Sequence, residues 1–191
     1  MPPDPRLVVF AGLPGTGKTS LARAVARDLH AVYLDKDTIE DCTITLADRM
    51  KLAQGRELAG ALSYELLTDL ARDNLSLGLS VVLDSPAQHG AFRDRVKQLA
   101  RSARADLQLV ECICTDETLL RRRIENRSAD LPEYHTRDWG EYQRERAQFE
   151  RLTERHLVVD TAESLALNVR KVLAYLGQPA SGGGSDSPAP E

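Results

Sequence analysis

Two periods alternate along the chain. Short apolar runs at Leu7-Val8-Val9-Phe10-Ala11, Ala31-Val32-Tyr33-Leu34, Leu79-Ser80-Val81-Val82-Leu83, Leu107 to Cys114 and His156 to Val159 read as strands, the first with the continuous apolar character of a buried parallel strand. Between them lie stretches with apolar residues at helical spacing. These are Ser20 to Leu29, Arg56 to Leu77, Ala91 to Ala105, a segment capped by Thr115 or Asp116, one opened by Asp138-Trp139 and running to about Arg155, and Ser164 to Leu176. In the longest, Leu58, Leu62, Leu66, Leu70 and Leu77, with Ala59 and Leu67 beside them, form a continuous stripe predicted to face the core, and Gly78 stops the helix. In the last, Leu165, Val169, Val172, Leu173 and Leu176 are predicted to point inward. From Glu40 to about Gly55, Thr43, Ile44 and Thr45 interrupt weak helix signals, and no function is assigned there. Strands alternating with helices predict an α/β domain.

The ends set its limits. Met1 to Pro5 reads as a frayed extended lead-in and lacks the basic region of a signal peptide, and Gln178 to Glu191 has no apolar residue larger than alanine or proline to bury, as in a disordered tail. One domain spanning residues 6–177 is expected. The 191 residues, 42% hydrophobic and 28% charged, are enough for a sizeable core, and no apolar run approaches the roughly 18 residues needed to span a bilayer. A cytoplasmic protein without membrane association is therefore expected; its oligomeric state is not legible. The net charge of −4 gives no general attraction to phosphate backbones, which disfavours nucleic acid as a partner. Three cysteines make no disulfide framework, and Cys112 and Cys114, two apart on one strand, read as core thiols rather than metal ligands.

The chemistry begins where the first strand ends. Gly12-Leu13-Pro14-Gly15-Thr16-Gly17-Lys18-Thr19 fits the pattern G-x-x-x-x-G-K-[ST] at every position, with a strand before it and a helix after it. Gly12, Gly15 and Gly17 let successive N–H groups point inward around phosphate oxygens. Thr16 and Ser20 belong to the same nucleotide site. Lys18 is expected to face the β- and γ-phosphates and not the core, and the Thr19 hydroxyl can enter the shell of a bridging Mg²⁺.

Two further acids stand at strand ends, the edge at which open α/β sheets bind ligands. Asp35 and Asp37 follow the second run. An alcohol is a poor nucleophile near neutral pH, so a carboxylate within reach of its proton is needed; Asp37 fits best, with Asp35 in reserve. Asp84 closes the third run as a Walker B acid does, a second candidate for the Mg²⁺ shell, its plainer role being to cap the next turn. Ser85 beside it is placed with the acceptor-binding residues, and His89 reads as an exposed loop residue. Arg123 and Arg127 share a helix face, which reads either as a solvated surface or as part of a mobile lid at about residues 121–138. Trp139 is expected to pack between lid and core.

From Arg6 to Gly177 the chain resembles the P-loop kinase group that includes gluconate kinases, polynucleotide 5′-hydroxyl kinases, chloramphenicol phosphotransferases and zeta-toxin kinases. The resemblance rests on Gly12 to Thr19, Asp37, Asp84 and the run Leu120 to Arg127. It implies a three-layer α/β/α fold whose parallel five-stranded sheet has the order 2-3-1-4-5. It also implies that Asp37 meets the acceptor hydroxyl, and that Arg123 and Arg127 contact ATP phosphates or stack on adenine. Asp84-Ser85-Pro86-Ala87-Gln88-His89 departs from the Asp-Gly-Phe-Pro-Arg sequence of nucleoside monophosphate kinases, which disfavours that acceptor. The function expected is transfer of the γ-phosphoryl group of ATP to a hydroxyl of a small metabolite or an antibiotic, in which case the enzyme would serve antibiotic resistance. A nucleotide-gated switch without an acceptor and a nucleic acid 5′-hydroxyl kinase are the alternatives.

Overall fold

β1 (Arg6–Ala11) is buried on both faces from Leu7 onward, so it can only stand at the centre of a sheet. A computed structural model of the chain describes residues 4–130 and 138–177, apart from the side chains of residues 56 and 127–130. β1 pairs in parallel with β3 (Val81–Asp84) on one side and β4 (Asp106–Ile113) on the other. Outside them lie β2 (Val32–Asp35) and β5 (Leu157–Asp160), giving the order β2-β3-β1-β4-β5 that the resemblance implies.

Alternation along the strands feeds two cores. Leu7, Val9, Val81, Leu83 and Leu109 pack under α3 (Gly55–Ser76) and α4 (Gly90–Ala103). Val8, Phe10, Val82, Val110 and Cys112 pack under α1 (Lys18–Leu29) and α7 (Leu165–Leu176). Each fully buried apolar side chain contributes about 2 kcal/mol, and the middle strand alone supplies several. Cys112 is a core thiol, as predicted; Cys114, expected to be another, is only half-buried, and Cys42 is exposed.

Residues 36–49, only weakly helical in pattern, form α2 (Lys36–Arg49). The Asp35 carboxylate caps it, accepting from the Asp37 N–H at 3.0 Å and the Thr38 hydroxyl at 3.1 Å. Thr43 does not break the helix because its hydroxyl donates to the Ile39 carbonyl at 2.8 Å, while Ile44 and Ala47 are buried. Asp35→Ala is accordingly expected to lower stability by about 1 kcal/mol, measured by denaturant unfolding.

Of the apolar stripe predicted for α3, Ala59 and Leu67 face the core and Leu62 is half-buried, but the rest of the leucine row faces out. Leu58, Leu66, Leu70 and Leu77 are exposed, and the helix buries Ala59, Ser63, Leu67, Thr68, Ala71 and Leu75. The small residues let α3 approach the sheet and α2 closely, and Ser63 and Thr68 satisfy their hydroxyls on carbonyls of their own helix. On α7, Leu165 is likewise exposed and Asn168 takes an inward place, its amide donating to the Asp160 carbonyl at 2.9 Å.

Asp116 caps α5 (Glu117–Asp130), its carboxylate accepting the Leu119 N–H at 2.9 Å. α6 (Trp139–Gln148) opens on Asp138 with a reciprocal capping box to Glu141. It stops at Gln148, short of Arg155, because Phe149 turns to extended backbone and, with Leu152, reaches the core below α4. Buried Arg93 donates to the carbonyls of Ala87, Glu150 and Arg151 and fixes that crossing. The expected lead-in at residues 1–3, lid residues 131–137 and tail at 178–191 lie outside the described residues. No described helix is long and apolar enough to cross a membrane.

Candidate active site

The loop Gly12 to Gly17 joins the centre of the sheet to the first turn of α1. Gly12 has φ 144°, and a Cβ there would lie 2.5 Å from the Cys112 carbonyl oxygen, so no other residue fits. Gly15 has φ 80°, and a Cβ there would meet Ile124 of α5 at 2.8 Å, so α5 lies directly against the loop. Leu13 packs with Leu120, Ile124, Trp139 and Tyr142, which places Trp139 between α5 and α6, stacked on Tyr142. Thr16 turns inward and donates to the Leu13 carbonyl at 2.7 Å.

The N–H groups of Gly15, Gly17, Lys18 and Thr19 find no acceptor among the described residues, and α1 starts without a side-chain cap. Orphan amides at a helix N-terminus, with the macrodipole behind them, form an anion site.

Lys18 does not simply face outward. Its ammonium is 2.5 Å from Asp84 Oδ1, and the Asp84 side chain is fully buried. The other oxygen, Oδ2, accepts the Tyr33 hydroxyl at 2.8 Å. The guanidinium of Arg23 stands 5.3 Å from the Tyr33 ring centre and 3.6 Å from Asp35 Oδ2. Burial, then the charge of Asp84, pushes the Tyr33 hydroxyl above its ordinary range, so it stays protonated and a donor. Burial and the Asp84 and Asp37 carboxylates likewise raise the Asp35 carboxyl.

A cavity of about 730 Å³ opens over the loop. Residues 12–21 form its floor, so Gly12, Gly15, Thr16, Gly17, Lys18, Thr19 and Ser20 all line it. On the β5 side its wall is Arg123, Thr161, Glu163, Leu165 and Asn168. On the β2–β3 side it is Lys36, Asp37, Glu40, Tyr64, Gln88 and His89. There the Lys36 ammonium pairs with Glu40 and sits 5.5 Å from the Tyr64 ring centre. Burial, then the charges of Asp37 and Glu40, pushes the Tyr64 hydroxyl up to about 12. His89 is exposed at the rim, 3.7 Å from Glu150.

The predicted residues divide accordingly. Asp37 and Arg123 reach the cavity together with the glycine loop. Arg123 is held by Thr161, donating to its hydroxyl and its carbonyl, each at 2.9 Å. Asp84 lies behind Lys18 and not on the cavity wall; Asp35 is spent on capping α2, and Ser85 is buried with its hydroxyl unpartnered. The side chain of Arg127 lies outside the described residues. Among the described residues no three His, Cys, Asp or Glu side chains come together as metal ligands; Thr19 lines the cavity, while Asp84 is engaged by Lys18 and Tyr33.

Sequence reasoning missed Tyr33, Tyr64, Glu40 and Thr161. Tyr33 carried a signal, since the two-residue repeat of a strand puts it on the face of Asp35. Tyr64 and Glu40 carried none, because they meet only through the packing of α2 on α3.

The sequence profile of the AAA domain family matches residues 7–159. No curated protein sequence matches the chain. Among solved structures, a Chloroflexus aurantiacus protein proposed to be a kinase is 23% identical and superposes with a TM-score of 0.73 over 92% of this chain and 98% of its own. A gluconokinase from Sinorhizobium meliloti is 23% identical, with a TM-score of 0.61 over 91% and 92%. An APS kinase from Mycobacterium tuberculosis, in complex with AMPPNP and APS, is 20% identical, with a TM-score of 0.65 over 93% and 100%. These likenesses are likenesses of fold.

Proposed function

We propose, on the premise that this chain belongs to the AAA domain family and has the P-loop kinase fold, that it is an ATP-dependent kinase phosphorylating a hydroxyl group of a small molecule. The observation that carries the reading is the one cavity that the uncapped N-terminus of α1, Lys18 and Asp37 line together.

The residues present fit a nucleoside triphosphate and Mg²⁺. The orphan amides of Gly15 to Thr19 would hold the β-phosphate, and Lys18, on leaving Asp84, the γ-phosphate. Thr19 and Asp84 would hold Mg²⁺, which supplies charge neutralisation between the two phosphates. Asp37 accepts the proton of the acceptor hydroxyl as its oxygen bonds to the γ-phosphorus and the bond to the β–γ bridging oxygen breaks, releasing ADP. Arg123, fixed on Thr161 beside Gly17, places a guanidinium at the nucleotide end. Arg127 is its proposed companion. An antibiotic is one member of the acceptor class.

The test is ADP release from ATP with purified protein, alone and with a panel of sugars, polyols, nucleosides and aminoglycosides. Stimulation by one class supports the kinase; slow hydrolysis indifferent to every alcohol belongs to a nucleotide-gated switch and overturns it. Within the kinase, Arg123→Ala is expected to lower kcat by about 10-fold or more, the scale of losing one charge-assisted donor, and an unchanged kcat would return Arg123 to a purely structural bond with Thr161.

A further inference from the structure

Among the described residues Asp84 is the one fully buried carboxylate, lying behind Lys18, and its two oxygens are held by different elements. Oδ1 faces Lys18 of α1, and Oδ2 faces Tyr33 of β2. Tyr33 is in register with Val82, so its ring points along the strand to the residue two further on, on the same face. The reach of a tyrosine is needed to span that step; the neighbouring Asp35, in register with Asp84 itself, is a carboxylate and can donate nothing.

The two bonds have different futures. On the kinase reading Lys18 turns to phosphate, and Oδ1 is left to a metal ion. A buried carboxylate that loses the ammonium against it and is free to rotate would lose most of its charge compensation and its aim. The Tyr33 hydroxyl is the donor that stays. It sits on a strand, packed in the core cluster under α1, with Arg23 across its ring. A phenylalanine of the same shape would satisfy the cluster equally well. The oxygen itself meets Asp84, to which it donates, and the Arg23 guanidinium.

We propose that Tyr33 is a positioning residue for the metal site: by holding Oδ2 of Asp84 it keeps Oδ1 on the side of Lys18, where a metal ion would take it once Lys18 turns to phosphate, and so sets the affinity for Mg²⁺ with nucleotide. This inference rests on the reading of Asp84 as a metal-shell residue. Partners of this kind govern metal affinity because they fix the ligand's orientation before the metal arrives.

Binding of a fluorescent ATP analogue to the full chain, titrated with Mg²⁺ and repeated in EDTA, tests it without any acceptor. Tyr33→Phe is expected to raise the Mg²⁺ midpoint about 10-fold while affinity in EDTA stays within about twofold. Arg23→Ala, an exposed change that does not endanger the fold, is expected to move the midpoint the same way by about threefold, and decides the matter should Tyr33→Phe not fold. A Tyr33→Phe protein with a lowered Tm but a Mg²⁺ curve identical to the parent's overturns the proposal and leaves Tyr33 as a core hydrogen bond. Asp84→Asn separates the premise: if it too leaves the midpoint unmoved, the metal-shell reading of Asp84 fails, whereas a shift in Asp84→Asn alone refutes only the role of Tyr33.

Discussion

Replacing Lys18 with alanine is expected to reduce phosphoryl transfer by about 10³-fold, since the ammonium is the mobile charge on the transferring group. It is also expected to destabilise the fold. The sequence gives Lys18 a phosphate-facing role alone, but its pairing with a fully buried carboxylate means that the variant leaves Asp84 inside the protein with one hydroxyl for company. Breaking such a pair from one side costs about 3 kcal/mol or more, because the remaining charge is neither solvated nor compensated. The double variant Lys18→Ala with Asp84→Asn is therefore expected to recover most of the lost Tm and none of the turnover. Turnover near the parent's in Lys18→Ala would remove the premise of the site.

The second large effect is at Asp37. Asp37→Asn keeps the shape of the side chain and cannot take a proton, so acceptor-dependent ADP release is expected to fall by about 10² or more with ATP affinity unchanged. A capping role would compete with this reading, but Asp35 already occupies the N-cap of α2, and Asp37 contributes its N–H to that cap. A fall in Tm with normal turnover would refute the assignment. Calorimetry on the same variant, with and without ATP, reads the Tm and the ATP affinity, and acceptor-dependent ADP release reads the turnover.

The glycine loop was legible because its chemistry is local: strand, turn and helix start follow one another within residues 6–20. The sheet order was legible through the resemblance, and the strands through their apolar runs. α3 misled because two apolar stripes run along it, and spacing alone does not say which meets the sheet; the longer leucine row lost to the row that contains Ala59, Ser63 and Ala71. Residues 36–49 hid a helix because its cap, Asp35, also read as a ligand-facing acid at a strand end. The pairing of Lys18 with Asp84, 66 positions apart, depends on α1 meeting the end of β3, and that of Tyr64 with Lys36 on α2 packing against α3, which no local pattern encodes.

The close approach of α2 and α3 reaches further than packing. A methyl group at Gly55 would land 2.3 Å from the Ala47 side chain, and Glu40 lies 3.5 Å from where one would sit at Gly60. The spacing of the two helices carries Asp37 and Glu40 on one and Tyr64 on the other, and is thus set by residues outside the cavity. A change of glycine or alanine in that seam would therefore move Asp37, Glu40 and Tyr64 relative to one another, reshaping one wall of the cavity while the glycine loop, Lys18 and Asp84 stay as they are.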